Sequence, residues 1–147
     1  MNTVKVKIHN TGSQPLPAYA TPGASGMDVR ADIERPMVVD PGQRVLVPTG
    51  LRVEIPRGYE LQLRPRSGLA LRNGITLLNT PGTIDADYRG EIGVILMNLG
   101  ADEFVIAPGE RICQAVLAPV CHIDWEPVSR VDQTERGDGA FGHTGVQ

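Results

Sequence analysis

Several carboxylates lie together in the middle of the chain, where they can accept a proton or hold a cation. Asp85, Asp87 and Glu91 fall within seven residues of one another, together with Tyr88, in the stretch Gly82–Glu91. In a β-strand Asp85 and Asp87 share one face, which suits a general base or a partner for a metal ion. An acidic turn that caps its own backbone is the alternative that these residues leave open.

An arginine-rich stretch precedes these carboxylates. Residues 57–72 hold four arginines and one glutamate, a local charge of +3 in a chain whose net charge is −3. Within it, Arg66 is followed directly by Ser67 and Gly68. Guanidinium groups bind phosphate through paired hydrogen bonds, and amides at the start of a helix attract anions. The stretch therefore predicts an anion site, with a serine N-cap beside solvated arginines as the alternative.

The end of the chain combines glycine with possible ligand-binding side chains. The segment Arg136–Gly145 has glycine at four positions, together with Phe141, His143 and Thr144. Glycine allows close backbone contact with a ligand, while arginine, histidine and threonine donate hydrogen bonds to one. The Gly-Lys-Ser/Thr sequence of a Walker A loop is not present. A disordered tail is the alternative.

Two further stretches carry weaker signals. Asp28 opens an apolar run after Ala24–Met27, and Gly109–Gln114 is typical of a turn leading into a strand. Each is by itself an ordinary turn.

The elements that must position these residues are β-strands. Apolar and polar residues alternate with a period of two in four runs, which is typical of half-buried strands. These runs are Val4–Ile8, Leu51–Ile55, Tyr59–Arg64 and Ile92–Leu96. Glycine and proline, 17 and 12 residues, fall between such runs and mark turns. A single helical turn is predicted after a Ser67 cap and before Asn73-Gly74, in an otherwise all-β sandwich or barrel.

Length and composition restrict the domain organisation and the partners. The chain has 147 residues, and its composition becomes polar after Trp125. We predict a β domain over residues 1–125 and a flexible, glycine-rich arm over residues 126–147. The net charge of −3 argues against a general nucleic-acid surface, and no apolar run has the length of a membrane span or a signal-peptide core.

The cysteines and histidines do not suggest a metal centre or a disulfide framework. Cys113 and Cys121 stand eight residues apart without a CxxC pattern, and the three histidines lack the spacing of metal ligands. Two reduced thiols are typical of a cytoplasmic protein, which is the location we expect.

Taken in order, the five stretches resemble the five motifs of the trimeric deoxyuridine triphosphate nucleotidohydrolases, the dUTPases. The matching positions are Asp28, Arg66–Gly68, Asp85–Gly90, Gly109–Gln114 and Arg136–Gly145. The resemblance implies an all-β, jelly-roll-like or distorted-barrel homotrimer that hydrolyses dUTP to dUMP and pyrophosphate with Mg²⁺. Such an activity limits uracil incorporation into DNA and supplies dUMP for dTMP synthesis.

The resemblance also implies a role for each matching residue. Asp85 activates the water that attacks the α-phosphorus, and Asp28 holds Mg²⁺ through its waters while the substrate phosphates bind the ion. Tyr88 packs under the deoxyribose and excludes a 2′-hydroxyl, while Phe141 lies over the base. Asp85 also contacts the substrate, and the remaining substrate-binding residues are Arg66, Ser67, Gly68, Asn79, Thr83, Gln114, Arg136, Gly142, His143 and Thr144. Among them, Asn79 and the backbone of a 75–88 hairpin form the uracil pocket.

Each site of the implied homotrimer is shared by three subunits. One subunit supplies Asp28, Arg66 and Gln114, a second supplies Asp85, and a third supplies the arm, which closes over the site. Two other functions remain open: a dCTP deaminase of the same fold superfamily, and a trimer that binds nucleotide without catalysis. The Asp85–Tyr88 run and the glycine-rich arm favour the hydrolase.

Overall fold

A computed structural model describes residues 3–140, which form eleven β-strands and one short helix. The strands are β1 (Lys7–Asn10), β2 (Met27–Arg30), β3 (Met37–Val39), β4 (Arg44–Pro48), β5 (Leu51–Glu54), β6 (Tyr59–Arg64), β7 (Ile75–Leu77), β8 (Gly82–Ile84), β9 (Gly93–Asn98), β10 (Phe104–Ile106) and β11 (Arg111–Pro119), and the helix α1 spans Ser67–Asn73. All the strand pairs are antiparallel.

The strands form four small sheets around one aliphatic core. A four-stranded sheet has the order β2-β11-β6-β8, a three-stranded sheet has the order β4-β9-β7, and β1-β5 and β10-β3 are pairs. The all-β, jelly-roll-like class with one very short helix is confirmed. Among residues 3–140 the sheets do not close into a barrel.

The period-two runs account for most of this architecture. Leu61 and Leu63 of β6 are buried, while Arg64 is exposed, and β5 and β9 alternate in the same way. The first predicted run is shorter than expected, because β1 begins only at Lys7. Val4 and Val6 precede β1 and line an apolar cavity of about 280 Å³ instead of pairing in a sheet.

The helix begins one residue away from the predicted position. Arg66 is the N-cap, with an extended backbone and no capping hydrogen bond from its side chain, so Ser67 is the first helical residue. The Arg66 carbonyl accepts the first intrahelical hydrogen bond, from the amide of Ala70 at 3.0 Å. Gly74 ends the helix as predicted, with a φ of 68° that favours glycine.

Regular structure ends with β11. Residues 120–140 contain neither helix nor strand, and Trp125 is 79% exposed. The last strand therefore ends at Pro119, a few residues before the boundary at 125 that the sequence predicts. The helix found between residues 3 and 140 is not long and apolar enough to cross a membrane.

Candidate active site

Three of the residues predicted for the site meet at one end of the four-stranded sheet. β2 and β11 pair so that Gln114 lies opposite Asp28, and Arg66 immediately precedes α1. The Arg66 Nε donates to the Asp28 Oδ1 at 3.1 Å, and the Gln114 Nε2 donates to the same oxygen at 3.4 Å. The fold thus brings together side chains that lie up to 86 residues apart in the sequence.

A second arginine completes this group, which we call the Asp28 cluster: Asp28, Arg66, Arg111 and Gln114. The Arg111 Nη1 donates to the Asp28 Oδ2 at 3.1 Å, and the Arg111 carbonyl accepts a hydrogen bond from Arg66. Sequence reasoning missed this role, because simple alternation places Arg111 and Gln114 on opposite faces of β11. A bulge between Arg111 and Cys113 changes the phase. Two consecutive buried residues, Ile112 and Cys113, mark the bulge because they interrupt the alternation of buried and exposed positions along β11.

The Asp28 cluster keeps an excess of positive charge. Two guanidinium groups share the single carboxylate of Asp28, whose side chain is 21% exposed. Behind the cluster, the pKa of the Cys113 thiol is raised to about 12, mainly by burial and to a smaller extent by the charge of Asp28, while Arg66 partly offsets the rise. Cys113 is therefore a neutral core residue near pH 7. An anion that approaches the cluster meets arginine side chains and not a thiolate.

The first turn of α1 adds further donors beside Arg66. The amides of Ser67 and Gly68 precede the first intrahelical amide, that of Ala70, and so have no acceptor within the helix. The Arg72 side chain lies across Gly68, since a Cβ at this glycine would stand 2.9 Å from the Arg72 Nη2. This end of the sheet therefore offers guanidinium and amide donors together, which is the chemistry of a phosphate site.

Asp85 lies in a turn immediately after β8. The Tyr88 amide donates to the Asp85 carbonyl at 3.1 Å, and the Arg89 guanidinium donates to the carbonyls of Ala86 and Tyr88 at 2.7 and 2.9 Å. The Asp85 carboxylate is exposed. The expectation that Asp85 and Asp87 share a strand face is wrong, because the chain leaves the extended conformation after Ile84.

The predicted 75–88 hairpin is a corner between two sheets. β7 pairs with β9 and β8 pairs with β6, so the two strands that flank the turn are not paired with each other. The corner contains Asn79 and a cis Thr80–Pro81 bond, and Gly82 packs closely against Asn79 and Leu63. Thr83 is exposed on β8. Asn79, Thr83 and Asp85 therefore belong to one continuous surface segment.

The two halves of the candidate site lie apart within one chain. On β6, Arg64 pairs with Gln114 of β11, whereas Leu61 pairs with Ile84 of β8, which places Asp85 near the opposite end of β6. With about 3.4 Å per residue and about 4.8 Å between strands, Asp85 and Gln114 are roughly 16 Å apart. One chain therefore does not bring Asp85 to the Asp28 cluster.

The described part of the arm forms its own turn. The Arg136 Nε donates to the Gly139 carbonyl at 2.9 Å, and the Gly137 amide donates to Thr134. Arg136 thus contacts its own turn and not the Asp28 cluster. Phe141, Gly142, His143 and Thr144 lie outside the described residues.

An all-β fold that carries a cationic cluster beside free helix amides, with a separate exposed carboxylate, is the arrangement expected of a protein that binds phosphorylated ligands. The dUTPase family model matches residues 12–145. The deoxyuridine 5′-triphosphate nucleotidohydrolase of Syntrophotalea carbinolica is 54% identical over 146 residues, which cover 99% of each chain. The chain therefore belongs to the dUTPase family.

Solved structures share the fold at low sequence identity. A mutant dUTPase of Staphylococcus bacteriophage 80alpha with dUpNHpp has a TM-score of 0.87 and 23% identity, over 98% of this chain and 100% of that one. A mutant dUTPase from phage phi11 of S. aureus, with a structural Mg(II) ion, has a TM-score of 0.77 and 19% identity, over 86% of this chain and 98% of that one.

Proposed function

We propose that the protein hydrolyses dUTP to dUMP and pyrophosphate, which limits uracil incorporation into DNA and supplies dUMP for dTMP synthesis. The observation that carries the proposal is the Asp28 cluster, because it joins side chains from three of the family's motifs through direct hydrogen bonds. The cytoplasmic location is part of the proposal and is supported by the unpaired thiols of Cys113 and Cys121.

The Asp28 cluster binds the phosphates in this proposal. A triphosphate carries about four negative charges, and phosphoryl transfer depends mainly on positioning and on neutralising such charge. Arg66 is already held by Asp28, so little rotamer freedom is lost when it binds a phosphate oxygen. The amides of Ser67 and Gly68 and the Gln114 amide group supply neutral donors around it.

The residues present fit a magnesium ion that arrives with the substrate. A carboxylate offers about four lone-pair positions, and Arg66, Gln114 and Arg111 occupy three of those of Asp28. One position on Oδ2 is left for a water ligand of the ion. No group of three acidic, histidine or cysteine side chains suited to a metal occurs within residues 3–140, so the phosphates supply the remaining ligands. The bound ion would neutralise charge that develops on the phosphates.

Asp85 is the general base in this proposal. Its carboxylate accepts a proton from a water molecule while the water oxygen forms a bond to the α-phosphorus. The bond between the α-phosphorus and the oxygen that bridges to the β-phosphorus breaks, and pyrophosphate leaves with that electron pair. The short hydrogen bonds of Arg89 to its own turn support a fixed position for Asp85.

The corner between β7 and β8 selects the nucleoside. Asn79, Thr83 and nearby backbone groups match the donor and acceptor pattern of uracil, and a mispaired cytosine leaves buried polar groups unsatisfied. The close packing at Gly82 leaves little room for the methyl group of thymine. Tyr88 contacts the deoxyribose and excludes a 2′-hydroxyl.

The site is completed by other copies of the chain, in a homotrimer. The separation of roughly 16 Å between Asp85 and Gln114 supports sharing, because a second chain can place its Asp85 beside this chain's Asp28 cluster. The arm of residues 126–147 closes over the site of a neighbouring subunit and brings Arg136, Phe141, Gly142, His143 and Thr144 to the nucleotide.

A steady-state assay tests the function directly. The purified protein is given dUTP, dTTP, dCTP or UTP in turn with Mg²⁺, and pyrophosphate and ammonia are both measured. Pyrophosphate release that is fastest with dUTP is the expected result. Ammonia release from dCTP would identify a deaminase instead, and binding of dUTP without either product would identify a protein that binds nucleotide without catalysis.

The Tyr88→Ala substitution tests the sugar contact. We expect the ratio of kcat/KM for dUTP to that for UTP to fall by about tenfold or more, because the ring that excludes the 2′-hydroxyl is removed. Turnover of dUTP itself should fall less than the ratio does. An unchanged ratio would show that another group excludes ribose.

A further inference from the structure

The Tyr88 ring lies against the backbone that follows the turn carrying Asp85. A Cβ at Gly90 would stand only 2.5 Å from the Tyr88 Cζ, so the ring lies directly against the backbone of this glycine. The φ angle of Gly90 is not positive, so glycine is needed here for space and not for an unusual backbone conformation. Any side chain at position 90 must displace the ring.

The Tyr88 ring is held in this orientation by a hydrogen bond to the backbone of Glu91. The Tyr88 hydroxyl donates to the carbonyl oxygen of Glu91 at 2.9 Å. The ring is 43% exposed, so few packing contacts restrain it on its outer side. The position of the Glu91 backbone therefore determines the angle of the ring.

Glu91 is itself fixed to the core by its side chain. Its Oε1 accepts hydrogen bonds from the amides of Thr49 and Gly50, at 3.2 and 2.9 Å. Both residues are buried, and the Thr49 hydroxyl donates to the carbonyl of Ile92 at 2.6 Å. The Gly50 carbonyl accepts hydrogen bonds from Thr11. Glu91 thus connects the exposed turn after β8 to the buried, hydrogen-bonded turn at Thr49–Gly50.

We propose that Glu91 is a positioning residue for sugar selection: its carboxylate fixes the backbone to which the Tyr88 hydroxyl is bonded, and so sets the angle of the ring. The inference rests on the proposed hydrolysis of dUTP and on Tyr88 as the group that meets the deoxyribose. It adds a connection from the Thr49–Gly50 turn to the specificity of the enzyme, through a side chain that does not touch the substrate.

Substitutions at Glu91 in the full-length protein test the proposal. We expect Glu91→Ala to lower the ratio of kcat/KM for dUTP to that for UTP by about tenfold, the equivalent of one hydrogen bond to a charged group. Glu91→Gln keeps an oxygen that accepts from both amides and should recover most of the ratio. Glu103→Ala, at an exposed carboxylate in the turn between β9 and β10, is the matched control and should leave the ratio unchanged.

A double substitution separates positioning from a general loss of structure. If Glu91 acts through the ring, Glu91→Ala should not lower the ratio further in a Tyr88→Ala background. A merely structural role would reduce the rates for dUTP and UTP equally and leave the ratio at its wild-type value, which would overturn the proposal. An additive effect in the double variant would also overturn it.

If Glu91→Ala does not fold, Gly90→Ala provides a second test of whether the orientation of the Tyr88 ring sets the preference for dUTP over UTP. The added methyl group displaces the Tyr88 ring while the Glu91 carboxylate stays bonded to Thr49 and Gly50. The ratio should fall as it does in Glu91→Ala, and an unchanged ratio would contradict the proposal. If the wild-type protein does not hydrolyse dUTP, the proposed function fails; if it does and the ratio does not move, only the positioning role fails.

Discussion

Replacing Asp85 by asparagine is expected to lower kcat for dUTP by about 10²–10⁴-fold, the usual contribution of a general base. The amide has the shape of the carboxylate but cannot accept the proton of the attacking water at neutral pH. Binding of the nucleotide should change little, because the Asp28 cluster and the β7–β8 corner are untouched. Single-turnover rates with dUTP and equilibrium binding of a non-hydrolysable analogue measure the two effects separately.

Asp87→Asn is the matched control for this substitution. Asp87 is an exposed carboxylate in the same turn, two residues further along, and its replacement removes the same charge. Its kcat should stay within about threefold of wild type if electrostatics alone are changed. Near-normal turnover in the Asp85→Asn protein, or an equal loss in both variants, would contradict the assignment of Asp85 as the base.

Ending the chain after Arg130 is expected to leave a folded protein with little activity. Regular structure ends at Pro119, so the truncation removes no strand or helix among the described residues. It removes Arg136 and the remaining arm residues, which the proposal places on the nucleotide. A thermal melt beside a pyrophosphate assay checks both points: loss of the folded state would show that the arm is structural, and full activity would show that it is dispensable.

Mixing these two inactive proteins tests whether sites are shared. A complete site needs Asp85 from a truncated chain and the arm from a full-length Asp85→Asn chain. With random threefold assembly each condition is met about half the time, so about a quarter of the sites should be complete. The chains are refolded together from denaturant, and chromatography checks that trimers form. Mixed trimers without activity would refute sharing and leave dUTP hydrolysis itself standing.

Several strands and part of the Asp28 cluster could be predicted from the sequence. Alternation predicts β5, β6 and β9 because each strand buries one face, as the buried Leu61 and Leu63 of β6 illustrate. The resemblance named Asp28, Arg66 and Gln114 together, and they are hydrogen-bonded neighbours in the structure. The fold class and the family are confirmed, whereas the roles of individual site residues stay predictions.

Other features depend on register and crossing, which local patterns do not encode. Arg111 joins the Asp28 cluster only through the bulge in β11. The segment around Asn79 is predicted as a hairpin, yet its two flanking strands pair with β9 and β6 and not with each other. The bond from Glu91 to the Thr49–Gly50 turn spans about 40 residues of sequence and leaves no periodic trace.

Arg111 and Gln114 lie on a central strand of the four-stranded sheet, whereas Asp85 follows an edge strand, so the two positions resist local opening unequally. β11 has nine residues, and its backbone is hydrogen-bonded to β2 on one side and to β6 on the other. β8 has three residues and lies at the edge of the sheet. Amide hydrogens in β11 should exchange with solvent only when the whole domain unfolds, while those around Asp85 exchange through local fluctuations. Upon warming, Arg111 and Gln114 should therefore keep their positions after the turn that carries Asp85 has begun to open.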